Sequence, residues 1–195
     1  YGGGWAQQGG TSIVSGDVNI SIIGGTVANV FGGGSYSTSG GTAEVKGNVN
    51  ITISGGVIEN VFARGQQPNA SVDGDATITF TGSSDFACNV SGYANGSTSL
   101  SSNSYLVFSG YTGTFSGSVS GFTSVTFSGD SAATWDTAAL DAPVGDWAFD
   151  VTGRSDALAG NALLNWSDAD FADDTITLSL SSASAWTLAT VGGST

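Results

Sequence analysis

One pattern of seven residues returns three times in this chain, and that repetition constrains the fold more than any other feature. Gly16-Asp17-Val18-Asn19-Ile20-Ser21-Ile22 is matched by Gly47-Asn48-Val49-Asn50-Ile51-Thr52-Ile53. It is matched again by Gly74-Asp75-Ala76-Thr77-Ile78-Thr79-Phe80, after a slightly shorter interval. A second block follows each copy: Thr26-Val27-Ala28-Asn29-Val30-Phe31, then Val57-Ile58-Glu59-Asn60-Val61-Phe62, then Phe86-Ala87-Cys88-Asn89-Val90-Ser91. Two extra residues near Ser83-Ser84 precede the third copy. Tyr1-Gly2-Gly3-Gly4 matches Phe31-Gly32-Gly33-Gly34. The chain thus opens partway through a repeat, and repeat-like sequence is expected before it.

Within each unit Val18, Ile20 and Ile22 alternate with Asn19 and Ser21. A period of two means a strand with one buried face. Three such runs per unit, broken by glycine and without helical spacing, predict one coil of a solenoid. A single coil cannot bury its own apolar face, so coils must stack. The expected fold is all-β: a right-handed parallel β-helix with Gly-rich corners, its hand following the general rule for parallel crossovers. An antiparallel sandwich is the rival, but it needs no in-register repeat of this length. Stacking predicts inner ladders Val18–Val49–Ala76 and Ile20–Ile51–Ile78. It also predicts a structural ladder of Asn29, Asn60 and Asn89 at a corner, since stacked asparagine amides bond one another. Asn19, Asn50 and Thr77, with Ser21, Thr52 and Thr79, form an outward polar stripe.

Composition removes whole functional classes. Only Lys46, Arg64 and Arg154 are basic against sixteen acids, a net charge of −13. A nucleic-acid partner needs a basic face, and there is none. No apolar run reaches membrane-spanning length, so no membrane insertion of this segment is expected. One cysteine and no histidine exclude an internal disulfide, a His/Cys zinc site and a Ser-His triad. Twenty-six of the 31 glycines lie in residues 1–129, whereas residues 130–195 hold ten Asp, one Arg and four of the five Trp. The organisation expected is therefore 1–129 as Gly-rich coils and 130–195 as an acidic, Trp-containing continuation or C-terminal cap of the same body. Leu106-Val107-Phe108-Ser109-Gly110 returns as Val125-Thr126-Phe127-Ser128-Gly129 after a much shorter interval than the earlier repeats, which predicts shorter coils. Further strands are expected around 147–151, 175–180 and 186–189, with a short helix around 156–159.

The motif Val-Asn-Ile-Thr-Ile-Ser-Gly-Gly at 49–56, followed by Asn60-Val61-Phe62 and Gly-rich corners, resembles repeat regions of large bacterial surface proteins. Autotransporter adhesin passengers are the nearest named group. Leu163-Leu164-Asn165-Trp166, Asp174-Thr175-Ile176 and Trp186-Thr187-Leu188 are similar to segments of such proteins. The resemblance implies an extracellular location on a bacterial cell surface and a structural or adhesive role. Its implied partner is a protein or glycan on a cell surface, or another copy of the chain. It implies no catalytic residues.

The charged residues limit the chemistry open to such a fold. A polyuronate lyase needs basic residues grouped around an acidic sugar, and these three fall at unrelated repeat positions. A glycoside hydrolase needs only two carboxylates. A carbohydrate-binding or carbohydrate-cleaving β-helix using Asp carboxylates is therefore the alternative reading. Asp168, Asp170, Asp173 and Asp174 are its candidates, and the same cluster is the one candidate calcium site, because hard cations take grouped oxygen ligands. A solvated acidic loop explains that run equally. Otherwise no cofactor and no enzyme activity are expected. Cys88 is expected as a small filler or surface thiol. Tyr36, Tyr93, Tyr105 and Tyr111 are expected in or near loops, as local packing or as stacking surfaces for sugars.

Overall fold

A computed structural model describes residues 1–7, 9–36, 40–115 and 117–128, together with strand backbone at 134–135, 146–150 and 176–179. The first coils contain β1 (Trp5–Ala6), β2 (Thr11–Val14), β3 (Val18–Phe31), β4 (Ser35–Tyr36), β5 (Thr42–Val45) and β6 (Val49–Phe62). Next come β7 (Ser71–Val72), β8 (Ala76–Gly82), β9 (Asn89–Ser91), β10 (Ser104–Tyr111), β11 (Thr114–Phe115) and β12 (Val119–Ser120). Last are β13 (Ser124–Ser128), β14 (Thr134–Trp135), β15 (Asp146–Asp150) and β16 (Ile176–Ser179). No helix occurs among the described residues.

Every pairing among the described strands is parallel. One large sheet stacks the first arms of β3 and β6 with β8, β10, β13, β15 and β16, and the second arms of β3 and β6 with β9 and β12. A second sheet runs β2-β5-β7, and β1-β4 and β11-β14 form short pairs. Each strand pairs with its counterpart one coil along, so the chain winds as a parallel β-solenoid of about four turns. The sandwich alternative is thereby removed.

Register follows the repeat. Val18 aligns with Val49 and Ala76, and Ile20 with Ile51 and Ile78. The second row continues through Leu106 and Val125. Tyr105 pairs with Ser124, so the coil between them is the shortened one expected from sequence. The offset between coils grows along the third one: Val49 pairs with Ala76, but Asn60 pairs with Asn89 rather than Ala87. That difference locates the two inserted residues between β8 and β9. There Ser84 Oγ donates to the Ser54 carbonyl at 3.1 Å. The backbones of 146–150 and 176–179 extend the large sheet. Residues 156–159 and 186–189 lie outside the described residues.

The core is a stack of rows running along the solenoid. Val49, Ile51, Ile53, Ile78 and Leu106 are fully buried. Each such side chain contributes about 1.5–3 kcal/mol of hydrophobic stabilisation. The filling then turns aromatic. Phe80 and Phe108 stack with centroids 5.4 Å apart, and Phe115 meets both edge-on at 5.3 and 5.6 Å. Tyr111 completes this cluster and is fully buried, not in a loop. Its hydroxyl reaches the Ser84 and Thr114 carbonyls at 2.8 and 2.9 Å, which removes the cost of burying a phenol.

Glycine serves two different purposes. Gly56, at the bend of β6, has φ of 104°, a conformation that penalises any Cβ. Gly32 is different, because what it needs is space. A Cβ there would lie 2.2 Å from the Ala63 carbonyl oxygen of the next coil. Left-handed backbone alone therefore does not explain the glycine-rich corners; coil-to-coil approach does.

Candidate functional site

The outward face of the large sheet carries the polar side chains in rows. One row runs Asn19, Asn50, Thr77, Tyr105 and Ser124, and the next Ser21, Thr52, Thr79, Val107 and Thr126. The strand spacing puts neighbours in a row ~4.8 Å apart, and two residues along a strand separate the rows by about 7 Å. From β3 to β13 every residue in both rows is uncharged, and the register then carries the first row on to Asp146 of β15. Asn50 Nδ2 donates to Asn19 Oδ1 at 3.0 Å.

The second arms carry another row. Asn60 Nδ2 donates to Asn29 Oδ1, and Asn89 Nδ2 to Asn60 Oδ1, both at 3.1 Å. Ser118 Oγ donates to Asn89 Oδ1 at 2.6 Å. These three asparagines are brought together, and they sit on the strands β3, β6 and β9, not at a corner.

The described acids mostly brace the coils. Asp17 Oδ1 accepts the Asn48 N–H at 2.7 Å, and Asp85 Oδ1 accepts the Thr114 N–H at 2.7 Å. Lys46 pairs with Glu44 and, at 3.0 Å, with Asp73. The hydrogen bonds that Lys46 donates to Glu44 and then to Asp73 raise its pKa. An exposed pair of this kind adds little stability.

Arg64 is the residue whose role the sequence concealed. It occupies the corner position of Gly33 one coil on, yet it is buried. Its Nε donates to Ser104 Oγ at 3.2 Å, and Nη1 to the Val72 carbonyl at 2.9 Å and Ser101 Oγ at 3.3 Å. Nη2 donates to the carbonyls of Ser102 and Asn103 at 2.6 and 2.8 Å. Four of these five hydrogen bonds tie the corner to the segment entering β10, and the fifth ties it to β7. Burial lowers the Arg64 pKa, opposed by the charge of Asp75. Beside it lies a cavity of about 290 Å³, bordered also by Asn69, Ser97, Ser99 and Leu100. Among the described residues, no carboxylate and no aromatic ring lines this cavity. It therefore has neither the acid pair nor the stacking platform that sugar cleavage would use.

The other sequence candidates fall as follows. Asp168, Asp170, Asp173 and Asp174 lie outside the described residues. No group of three or more His, Cys, Asp or Glu side chains suited to a metal occurs among the described residues. Cys88 is buried and packs in the core, with its pKa pushed up to about 12 by burial. It is a filler, not a surface thiol. Tyr93 and Tyr105 are half-buried, and Tyr36 lies on β4. Among the described residues no helix is long and apolar enough to cross a membrane. No protein-family model, curated protein or solved structure matches this chain.

Proposed function

We propose that this chain is a structural and adhesive segment of a bacterial surface protein, acting outside the cell. Its partner is a protein or glycan on a cell surface, or another copy of itself. The observation that carries this reading is the uncharged face of Asn, Ser and Thr rows on β3, β6 and β8. Such a face offers many weak hydrogen bonds at a fixed repeat, which suits a repetitive polymer or a second solenoid more than a small substrate. Neutral polar groups also cost less to desolvate than ionic ones when each finds a hydrogen-bond partner.

The test is binding of the chain to a broad array of glycans, with and without calcium, beside the variant Thr52→Glu. Thr52 is exposed on β6, so the variant should keep the melting temperature within about 2 °C, as surface changes do. Expected is binding by the parent chain and loss of at least about tenfold in affinity for Thr52→Glu. Equal binding by both would place recognition elsewhere and sink this use of the face. Binding only with calcium would move attention to the aspartates from 168 to 174.

A further inference from the structure

Arg64 brings a positive charge into the body of the solenoid, and among the described residues no carboxylate pairs with it. All five guanidinium N–H groups are spent on three carbonyls and two serine hydroxyls. Those bonds replace its hydration but carry no opposing charge. The ion pairs among the described residues both belong to Lys46, and Asp75 acts on Arg64 only through space. Buried cations are normally paired, because an unpaired charge is costly to hold away from water. The cavity of about 290 Å³ beside Arg64 is many times the ~10–15 Å³ that holds one water.

The wall next to Arg64 supplies a donor. β7 pairs with β5 alone among the described strands, and the Asp73 N–H turns back to the Val45 carbonyl of β5 at 2.9 Å. Alternate residues of a parallel strand bond to opposite neighbours, so the Val72 peptide groups face the other way. There the Val72 carbonyl accepts from Arg64 Nη1 at 2.9 Å and from Ser102 Oγ at 3.3 Å. The Val72 N–H, on the same side, meets no acceptor among the described residues. Val72 is buried with its side chain in the core, so what it presents to the cavity is this peptide edge. A buried backbone N–H almost always has a partner. Toward solvent the lining includes Asn69, Ser71 and Ser99, and no described residue engages their side chains.

Charge selects the class of ligand. One cation matches one negative charge, and a chain of net −13 repels a dianion more than a monoanion. The amide and hydroxyls nearer solvent suit a body that carries hydroxyl groups of its own. We propose that this cavity binds a small hydroxylated carboxylate. Its carboxylate accepts from the Val72 N–H beside the Arg64 charge, and its hydroxyls meet Asn69, Ser71 and Ser99. Arg64 contributes field rather than a hydrogen bond, since its donors are already used. The site is independent of what the outer polar rows bind.

The experiment follows amide NMR shifts of the whole chain at fixed ionic strength. Glucuronate is the probe, glucose its neutral counterpart, and inorganic phosphate the test of a dianion. Expected is saturable binding of glucuronate, with the Val72 amide among the largest shifts. Glucose and phosphate should bind at least about tenfold more weakly. Arg64 also holds the segment before β10, so its variants test folding as much as binding. Ser99→Asp and Asn69→Asp avoid this, because both side chains are exposed and each adds a negative charge at the mouth. Each should keep the melting temperature within about 2 °C of the parent and weaken glucuronate binding about tenfold or more. Thr52→Glu should leave that binding unchanged. No saturation below about 10 mM glucuronate, equal binding of glucose, or tighter binding of phosphate would overturn the proposal. So would unaltered affinity in both aspartate variants.

Discussion

Arg64 shows how much one side chain can carry when it sits at a corner. Its fork satisfies three carbonyls and two serine hydroxyls in buried or half-buried surroundings. Lysine cannot reproduce a planar five-donor geometry. Arg64→Lys should therefore cost roughly 2–4 kcal/mol in denaturant unfolding, from acceptors left without partners. A loss below about 0.5 kcal/mol, the range of an ordinary surface change, would mean that the segment before β10 holds itself. Cys88 gives a second test at this scale. Its pKa rises on folding from 9.0 to about 12, so the neutral thiol is favoured in the folded state. The associated stability is complete below about pH 9 and is lost as pH climbs toward 12. Tyr111 is raised in the same direction, by burial first and then by the charges of Asp85 and Cys88. Between about pH 9 and 11 the chain should lose roughly 1.4 kcal/mol per pH unit to the thiol alone. Cys88→Ala should remove that part of the slope, and identical slopes for the two chains would refute the assignment.

Among the strands, equivalent positions in successive coils are not equivalent in energy. Ile20 of β3 and Ile51 of β6 share one row, but only Ile51 has a described coil on both sides. Ile51→Ala leaves a cavity and should cost about 2–5 kcal/mol. Ile20→Ala should cost about half as much, because part of that side chain already meets water. Thermal or urea unfolding of the two variants checks the ratio, and equal losses would mean that the first coil is covered in solution. The long strands β3, β6, β8 and β10, their inner rows and the two-residue insertion were legible in the sequence, whereas short pairs such as β1-β4 and β11-β14 were not. Period-two alternation is local, and repetition marks the register without reference to distant chain. Arg64 and Tyr111 were not legible. Neither residue type repeats at its position, and most partners of each lie on another coil, distant in sequence.

Over the molecule as a whole, charge and stacking act against each other. The chain carries −13, concentrated in residues 130–195, while the first coil is almost neutral. Any self-association through the polar faces must work against that repulsion. Screening shortens its reach to ~10 Å at about 0.1 M salt. Sedimentation should therefore show association strengthening as sodium chloride rises from low concentration to about 0.5 M. Weakening over that range would indicate ionic contacts and contradict a hydrogen-bonded face.

The solenoid was written into the chain, because an in-register repeat of alternating apolar residues buries its inner face only by stacking on copies of itself. So was the choice of side chains that point in, since alternation leaves no freedom once one residue of a strand is placed. Two outcomes came from the winding alone. Corner glycines are required mainly by the approach of neighbouring coils, as at Gly32. A tyrosine beside a turn became core, because Phe80, Phe86 and Phe108 converge around it. Those outcomes depend on which segments the winding brings back alongside, and local pattern does not hold that information.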